Sequence, residues 1–442
     1  MNQEASWAMD EFGEAQMGDA RLTKRLIKLA DRLGDAPSAS IPGACNGHTE
    51  TQAAYRFLDQ ARTDKRELGW ETVLAPHMVR TEARMGEHPV VLCLQDTTEL
   101  DFNGQAIEGL GSLSYKAQRG MYLHPTYAVT PQRLPLGILD AWMWARPLDV
   151  VESQRWIEGY ERVAERARQL PATRLVYVAD READILLLMQ RAQALDHPAD
   201  YLLRAQHNRC LPQDGKLWEA TLAAAPLGEI EFTLPARTRQ PARTVRQTLH
   251  ARTVPLPDGQ GGTMAVTCLI ARETDAPQGH KPIEWRLLSN RSVTTLEEAG
   301  ELIDWYRCRW EIETLFHVLK NGCRVEALQL GHIKKLELAL VLYLVVAWRL
   351  ALLVRLGRTH PDLPASEVFD QVEWQAAWLL AEKAPPKATP SVREVVRRIA
   401  MLGGFLARKG DGEPGVKTLW LGLARVSSFV RGFEKARALH AL

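Results

Sequence analysis

The sequence predicts an α/β protein with helical regions at both ends, and three observations carry that prediction. Short apolar runs from Val90 onward follow one another in the order β-β-β-α-β, among them Val90-Val-Leu-Cys-Leu94 and Arg174-Leu-Val-Tyr-Val-Ala179, each continuous enough for a buried central strand. Residues from about 207 to 283 break that rhythm with alternating β-like segments, several Pro and Gly, and no long amphipathic helix. Helical periodicity dominates before residue 65 and returns after Thr295.

The first helical segment, from Asp19 to Leu33, spaces Leu22, Leu26, Leu29, Ala30 and Leu33 for one apolar face, with Asp19 as its N-cap. Arg21, Lys24, Arg25, Lys28 and Arg32 decorate the rest, so residues 1 to 65 read as a helical module with a basic side. Strands at Val90 to Leu94, Tyr122 to Thr130 and Pro135 to Trp144 precede a helix from about Ser153 to Leu170. The strand ending at Ala179, a helix from Ala183 to about Leu195 and a short strand at Tyr201 to Leu203 complete the frame.

The stretch from about 207 to 283 reads as an inserted β subdomain. Its arginines Arg237, Arg239, Arg243, Arg246 and Arg252 have no acidic residue among them between Thr233 and Thr253, which suggests a positive surface serving phosphates, or else a solvated β surface. Prolines from Pro361 to Pro390 separate the helices after Thr295 from a last helical segment, giving expected regions of 1–65, 66–365 and 366–442.

The formal net charge of +1 neither supports nor excludes nucleic acid, so any basic surface must be local. Six scattered cysteines, without C-x-x-C or Cys/His zinc spacing, read as reduced thiols of a cytoplasmic protein. The opening residues lack a basic start followed by an apolar run, so no secretory leader is expected. The most apolar segment, Leu338 to Trp348, stops at Arg349 and is too short for the roughly 20 residues that span a bilayer, so it is expected to be a core helix and no membrane partner is anticipated.

The chemistry concentrates in three places. Asp96 and Asp180 each follow an apolar strand, where functional groups of α/β sheets collect; if the two strands are parallel neighbours, the aspartates meet. In Trp305-Tyr-Arg-Cys-Arg-Trp-Glu-Ile-Glu-Thr-Leu-Phe-His-Val-Leu-Lys320, helical spacing of about 100° per residue puts Tyr306, Arg309, Glu313 and Lys320 on one narrow stripe. Trp305, Cys308, Ile312, Leu315, Phe316 and Leu319 form a separate apolar face, leaving the stripe free for chemistry. Three carboxylates without His or Cys suit Mg²⁺ or Mn²⁺ and phosphodiester chemistry. Each aspartate equally suits a turn or helix cap, Asp184 included, and the pattern alone does not separate a nuclease from a transposase.

Tyr306-x-x-Arg309-x-x-x-Glu313-x-x-x-x-x-x-Lys320 resembles the YREK signature of bacterial cut-and-paste DDE transposases, closest to the transposon-five type. Gln95-Asp96-Thr-Thr98 and Asp180-Arg-Glu-Ala-Asp184 are similar to that family's motifs around its first two catalytic aspartates. Met17-Gly-Asp-x-Arg-x-Thr-x-Arg-Leu26, Ala54-Tyr-Arg-Phe57 and Leu402-Gly-Gly-Phe405 extend the resemblance to both ends. It implies a ribonuclease-H-like catalytic core with a β insertion, an N-terminal domain binding transposon ends through residues such as Arg21 and Arg25, and a C-terminal dimerisation region.

It further implies Asp96, Asp180 and Glu313 as catalytic metal ligands, Tyr306, Arg309, Lys320 and Arg204 as phosphate contacts, and Trp285 as the aromatic that stacks on a flipped base. By itself Trp285 reads as an ordinary strand aromatic. Leu22 and Gln206 depart from the arginine and lysine that relatives place there, which points to a different terminal DNA sequence. The expected activity is two-metal cleavage, hairpin formation and strand transfer on double-stranded DNA by a homodimer. A hydrolysis-only nuclease on the same core and a DNA-binding regulator of transposition are the alternatives.

Overall fold

The computed structural model describes residues 6–62, 68–115, 117–146, 153–213, 215–234 and 242–440. Among them eleven strands form one sheet: β1 Val90–Gln95, β2 Thr98–Asp101, β3 Gly111–Ser112, β4 Arg119–Val129, β5 Pro135–Trp144, β6 Arg174–Ala179, β7 Asp200–Arg204, β8 Gly228–Leu234, β9 Arg243–Pro257, β10 Thr263–Glu273 and β11 Glu284–Ser289. β4 lies antiparallel between β1 and β5, while β1, β6 and β7 run parallel. The order β5-β4-β1-β6-β7 is the frame of a ribonuclease-H-like core, as expected. The short strands β2 and β3, which the apolar pattern does not announce, pair with the outer part of β4.

The insertion continues the same sheet. β8, β9 and β10 form an antiparallel ribbon that joins β7 through β11. Arg237 and Arg239 lie outside the described residues. Arg243 is tied to Glu273 and Arg246 to Glu231, so these two are engaged within the sheet; Arg252 donates to the Ala220 carbonyl.

Helices cover both faces. Gln154–Gln169 and Leu186–Ala194 bury Trp156, Tyr160, Leu188 and Met189 with Cys93, Tyr177 and Leu203 of the sheet. On the other face, Leu92, Leu94, Val176, Val178, Leu202 and Leu287 meet the helices after Thr295 and the N-terminal region. Alternation along each strand thus assigns odd and even positions of β1 to different cores.

The helix Ile333–Thr359 lies on this second face, packed against β5 and against helices of the N- and C-terminal regions. It continues through Arg349, as a core helix whose most apolar run ends at that residue. Its 27 residues are long and apolar enough to cross a membrane, but 89% of its most apolar window is buried inside the protein, as in a core helix. Arg349 is itself buried, because acidic groups receive it. All six cysteines are free thiols, Cys210 alone being exposed.

In the N-terminal region Asp19 caps helix Ala20–Asp35 by accepting from the Arg21 N–H, and Leu22, Leu26, Leu29, Ala30 and Leu33 are buried. Leu22 is therefore a core residue, which explains the departure at that position. Lys28 and Arg32 are held by Glu50, 2.7 Å and 3.0 Å away, while Arg21 and Lys24 face solvent and Arg25 is half-buried.

Candidate active site

Parallel pairing of β1 with β6 sets Gln95 beside Ala179, so the next residues, Asp96 and Asp180, emerge together at the carboxyl end of the sheet. Ala179 in turn sits beside Leu203, which sets Arg204 beside Asp180. Arg204 faces Leu287 of β11, and Trp285, two residues on, points to the same face. One side of the sheet end thus carries Asp96, Asp180, Arg204 and Trp285 in a row. The condition that the sequence left open, that the two aspartate strands be parallel neighbours, is met.

The YREK segment packs across this row. The capping box of Thr295 and Glu298 starts helix Leu296–Cys308; Arg309 joins it to helix Trp310–His317, and a π-helical turn follows at Val318–Gly322. Trp305, Cys308, Ile312, Leu315, Phe316 and Leu319 are buried as the spacing predicts. The stripe itself is not wholly free: Tyr306 and Arg309 are buried as well, facing the strand ends. The π turn breaks the 100° periodicity at Lys320, whose ammonium lies 3.9 Å from Glu326.

Arg309 is the hub. Its guanidinium donates to Asp96 Oδ2 at 2.8 Å and to Glu313 Oε1 at 2.8 Å, and lies 3.9 Å from Asp180 Oδ2. The Tyr306 hydroxyl donates to Asp180 Oδ1 at 3.3 Å, and Arg204 Nη1 is 3.9 Å from the same oxygen. Asp180 also accepts from the Arg181 N–H and Asp96 from the Thr97 N–H, so both aspartates also shape the turns that follow their strands. Asp184 is different: buried, it accepts from the N–H groups of Gln206 and His207 and shapes the loop after β7.

Burial pushes the Asp96 carboxyl up to about 6, against the opposing pull of Arg309. Burial likewise lifts the Tyr306 hydroxyl to about 12, with Asp180 adding to the effect. Burial works against the Arg309 charge, but Tyr306, Asp180, Asp96 and the Glu313 hydrogen bond outweigh it and raise its pKa.

Residues beyond the signature hold the aspartates in place. Gln95, buried on the opposite face, donates to Thr126 at 2.9 Å and accepts from Tyr177. Gly159 leaves it room, since a Cβ there would come within 2.2 Å of its side chain. Thr97 bonds His124 at 2.8 Å, a histidine that burial holds neutral, near 3. No sequence spacing announces these contacts, because each joins separate elements. Trp285 stacks on Phe232, 5.6 Å between centroids at 16°, with Arg307 over the Phe232 ring at 4.6 Å. Trp310 is 54% exposed and lies 5.4 Å from the Arg309 guanidinium, on the outer side of the hub.

Three oxygen-donor side chains that share one cation have the donor chemistry of a Mg²⁺ or Mn²⁺ site. As the side chains stand, no three His, Cys, Asp or Glu among the described residues are grouped closely enough to hold a metal, for Arg309 occupies the carboxylate oxygens of Asp96 and Glu313. The donor set fits the ion; the spacing is that of acids spread around a guanidinium.

The sheet order and the strand-end position of the two aspartates give the chain a ribonuclease-H-like core of the DDE class. Residues 4–63 match the transposase DNA-binding family, residues 156–348 the transposase DDE domain and residues 345–441 the transposase Tn5 dimerisation domain. Matches to its DNA-binding, DDE and dimerisation domains, which together take in most of the chain, show that the chain belongs to the Tn5-type DDE transposases. The DDE match contains Asp180 and Glu313, while Asp96 precedes it. Among solved structures, the piggyBac transposase synaptic complex with hairpin DNA is similar at 9% identity and a TM-score of 0.36, covering 82% of this chain and 57% of that one.

Proposed function

We propose that the enzyme moves its own element by cut-and-paste transposition, with Asp96, Asp180 and Glu313 as catalytic ligands of Mg²⁺ or Mn²⁺. The convergence of these carboxylates on one guanidinium, from two parallel strand ends and one helix, is the observation that carries the reading. When bound, the metal supplies activation of the attacking oxygen and stabilisation of the leaving one.

The rest follows from the chain's own side chains. Tyr306, Arg309, Arg204 and Lys320 hold backbone phosphates of the transposon end in register with the carboxylates. Water first displaces the 3′ oxygen of one strand. That freed hydroxyl then attacks the phosphodiester of the opposite strand, joining the two strands as a hairpin and releasing flanking DNA. A second water reopens the hairpin, and the 3′ hydroxyl finally displaces an oxygen of target DNA.

Trp285 offers the stacking surface for a base flipped out of the bent end, and its ring, braced by Phe232, is held ready for it. Arg21 and Arg25 place the N-terminal module, about residues 1–65, on the terminal sequence. The core spans about 66–365 with its insertion at about 207–283, and helices from 366 onward carry dimerisation. Leu421, Phe429 and Phe433, exposed on helix Val416–His440, suit a second copy of this chain. The site of action is the cytoplasm.

Cleavage of a duplex carrying the element's own end tests the reading. Mg²⁺-dependent nicks and a hairpin at the boundary, lost in Glu313→Ala, are expected; hydrolysis without hairpin identifies a nuclease, and binding without cleavage a regulator. Trp285→Ala should spare the first nick and reduce hairpin yield about tenfold to a hundredfold, the worth of one base stack.

A further inference from the structure

The Arg309 guanidinium holds oxygens on both Asp96 and Glu313 at 2.8 Å, the distance of charge-assisted hydrogen bonds, and is buried among them. Those oxygens are the ones that the proposed metal ligands would turn toward an ion. A guanidinium and a dication cannot share them, because the two cations would repel at contact distance and compete for the same lone pairs. The arginine also has somewhere else to go. The guanidinium already lies over the 54% exposed Trp310 indole, 5.4 Å from its centroid, so the arginine can move outward along that ring without losing the contact. A phosphate offers it the same bidentate geometry as the two carboxylates.

We infer that Arg309 is a built-in counter-cation that keeps divalent metal off Asp96 and Glu313 until a DNA phosphate draws it outward, so that metal and DNA load cooperatively. The inference rests on the reading of Asp96, Asp180 and Glu313 as metal ligands. It gives the fold a safeguard: free protein binds metal weakly and becomes competent only on DNA. By linkage, metal tightens DNA binding by the same factor that DNA tightens metal binding.

The test measures Mn²⁺ binding by the full-length protein, from the electron paramagnetic resonance of free Mn²⁺, with and without a duplex of the element's end. The complex of the Asp96→Asn/Glu313→Gln variant serves as the blank for ions held by DNA. Wild type should bind Mn²⁺ about tenfold more tightly with duplex than without, an ordinary size for coupled ligands. Arg309→Gln should reach that tighter affinity without DNA and gain little from duplex. Arg309→Lys, which keeps the charge, should stay weak without DNA, and circular dichroism melts show that each variant is folded. Unchanged or weaker Mn²⁺ binding by folded Arg309→Gln without DNA overturns the inference while leaving the metal site intact. Binding in wild type that equals the blank overturns the metal-site reading as well.

Discussion

Two buried arginines each gather acids from separate parts of the chain, and they differ in what lies around them. Arg309 meets Asp96, Asp180 and Glu313 at the carboxyl end of the sheet, where Glu313 is 39% exposed. Arg349, in the middle of the core helix, meets Glu373 at 4.0 Å and feels Asp31, Asp35 and Asp370, beneath the ring of Trp7 at 5.0 Å. The first group opens toward solvent and DNA. The second is sealed where the N-terminal region, the core helix and the C-terminal region meet. Composition is nearly the same in both; accessibility decides whether the cation can be exchanged or is a permanent clamp.

Substitutions should separate the two sharply. Glu313→Gln removes a ligand from the open group, and strand cleavage should fall by about a thousandfold or more, since several kcal/mol of charge stabilisation is lost. DNA binding by gel shift and the melting temperature should hold, because the lost charge was half-solvated. Comparable cleavage by this variant would break the distinction. Arg349→Met strikes the sealed group instead. It leaves buried acids uncompensated, and stability should drop by about 3 to 5 kcal/mol, read as a lower melting temperature. The nicking rate per folded molecule should not change.

The smallest effect concerns pH. Burial pushes Asp31 and Asp35 up to about 6 and Glu373 up to about 7, from ordinary values of 3.8 and 4.5. For carboxyls raised on folding, the folded protein holds protons that the unfolded chain has released. Their contribution is complete below the ordinary value and is lost as pH climbs through about 6 to 7. Glu11 is held down near 2, despite burial, by His77 and Arg84, so its own contribution is already constant in that window. Asp31→Asn with Glu373→Gln should therefore flatten the decline of melting temperature between about pH 4 and 7. A double variant whose melting temperature falls as steeply as wild type over that range would contradict the linkage.

The sequence made one of these groups legible and hid the other. Asp96, Asp180 and Glu313 follow from apolar runs that end in an acid and from helical spacing, because strand ends and helix faces are local properties. That the two strands run parallel and adjacent is a tertiary fact, which the runs alone could state only as a condition. Arg309 as the hub was out of reach for the same reason, since 213 positions separate it from Asp96. The π turn at Val318–Gly322 departs from a strict 100° wheel just where Lys320 lies, which spacing alone does not announce. The core helix around Arg349 was legible from its apolar run, but the acids that offset the burial of Arg349 were not, because they are distant in sequence. The arginines of the insertion read as a bare positive surface because their partners, Glu231 and Glu273, lie on other strands.

Anomalous diffraction from Mn²⁺ in a complex with the end duplex tests the central claim most directly. Manganese held by Asp96, Asp180 and Glu313, with Arg309 turned onto a phosphate, is the predicted result. Manganese bound by other residues in a DNA-loaded site, with Arg309 still between Asp96 and Glu313, would contradict the account.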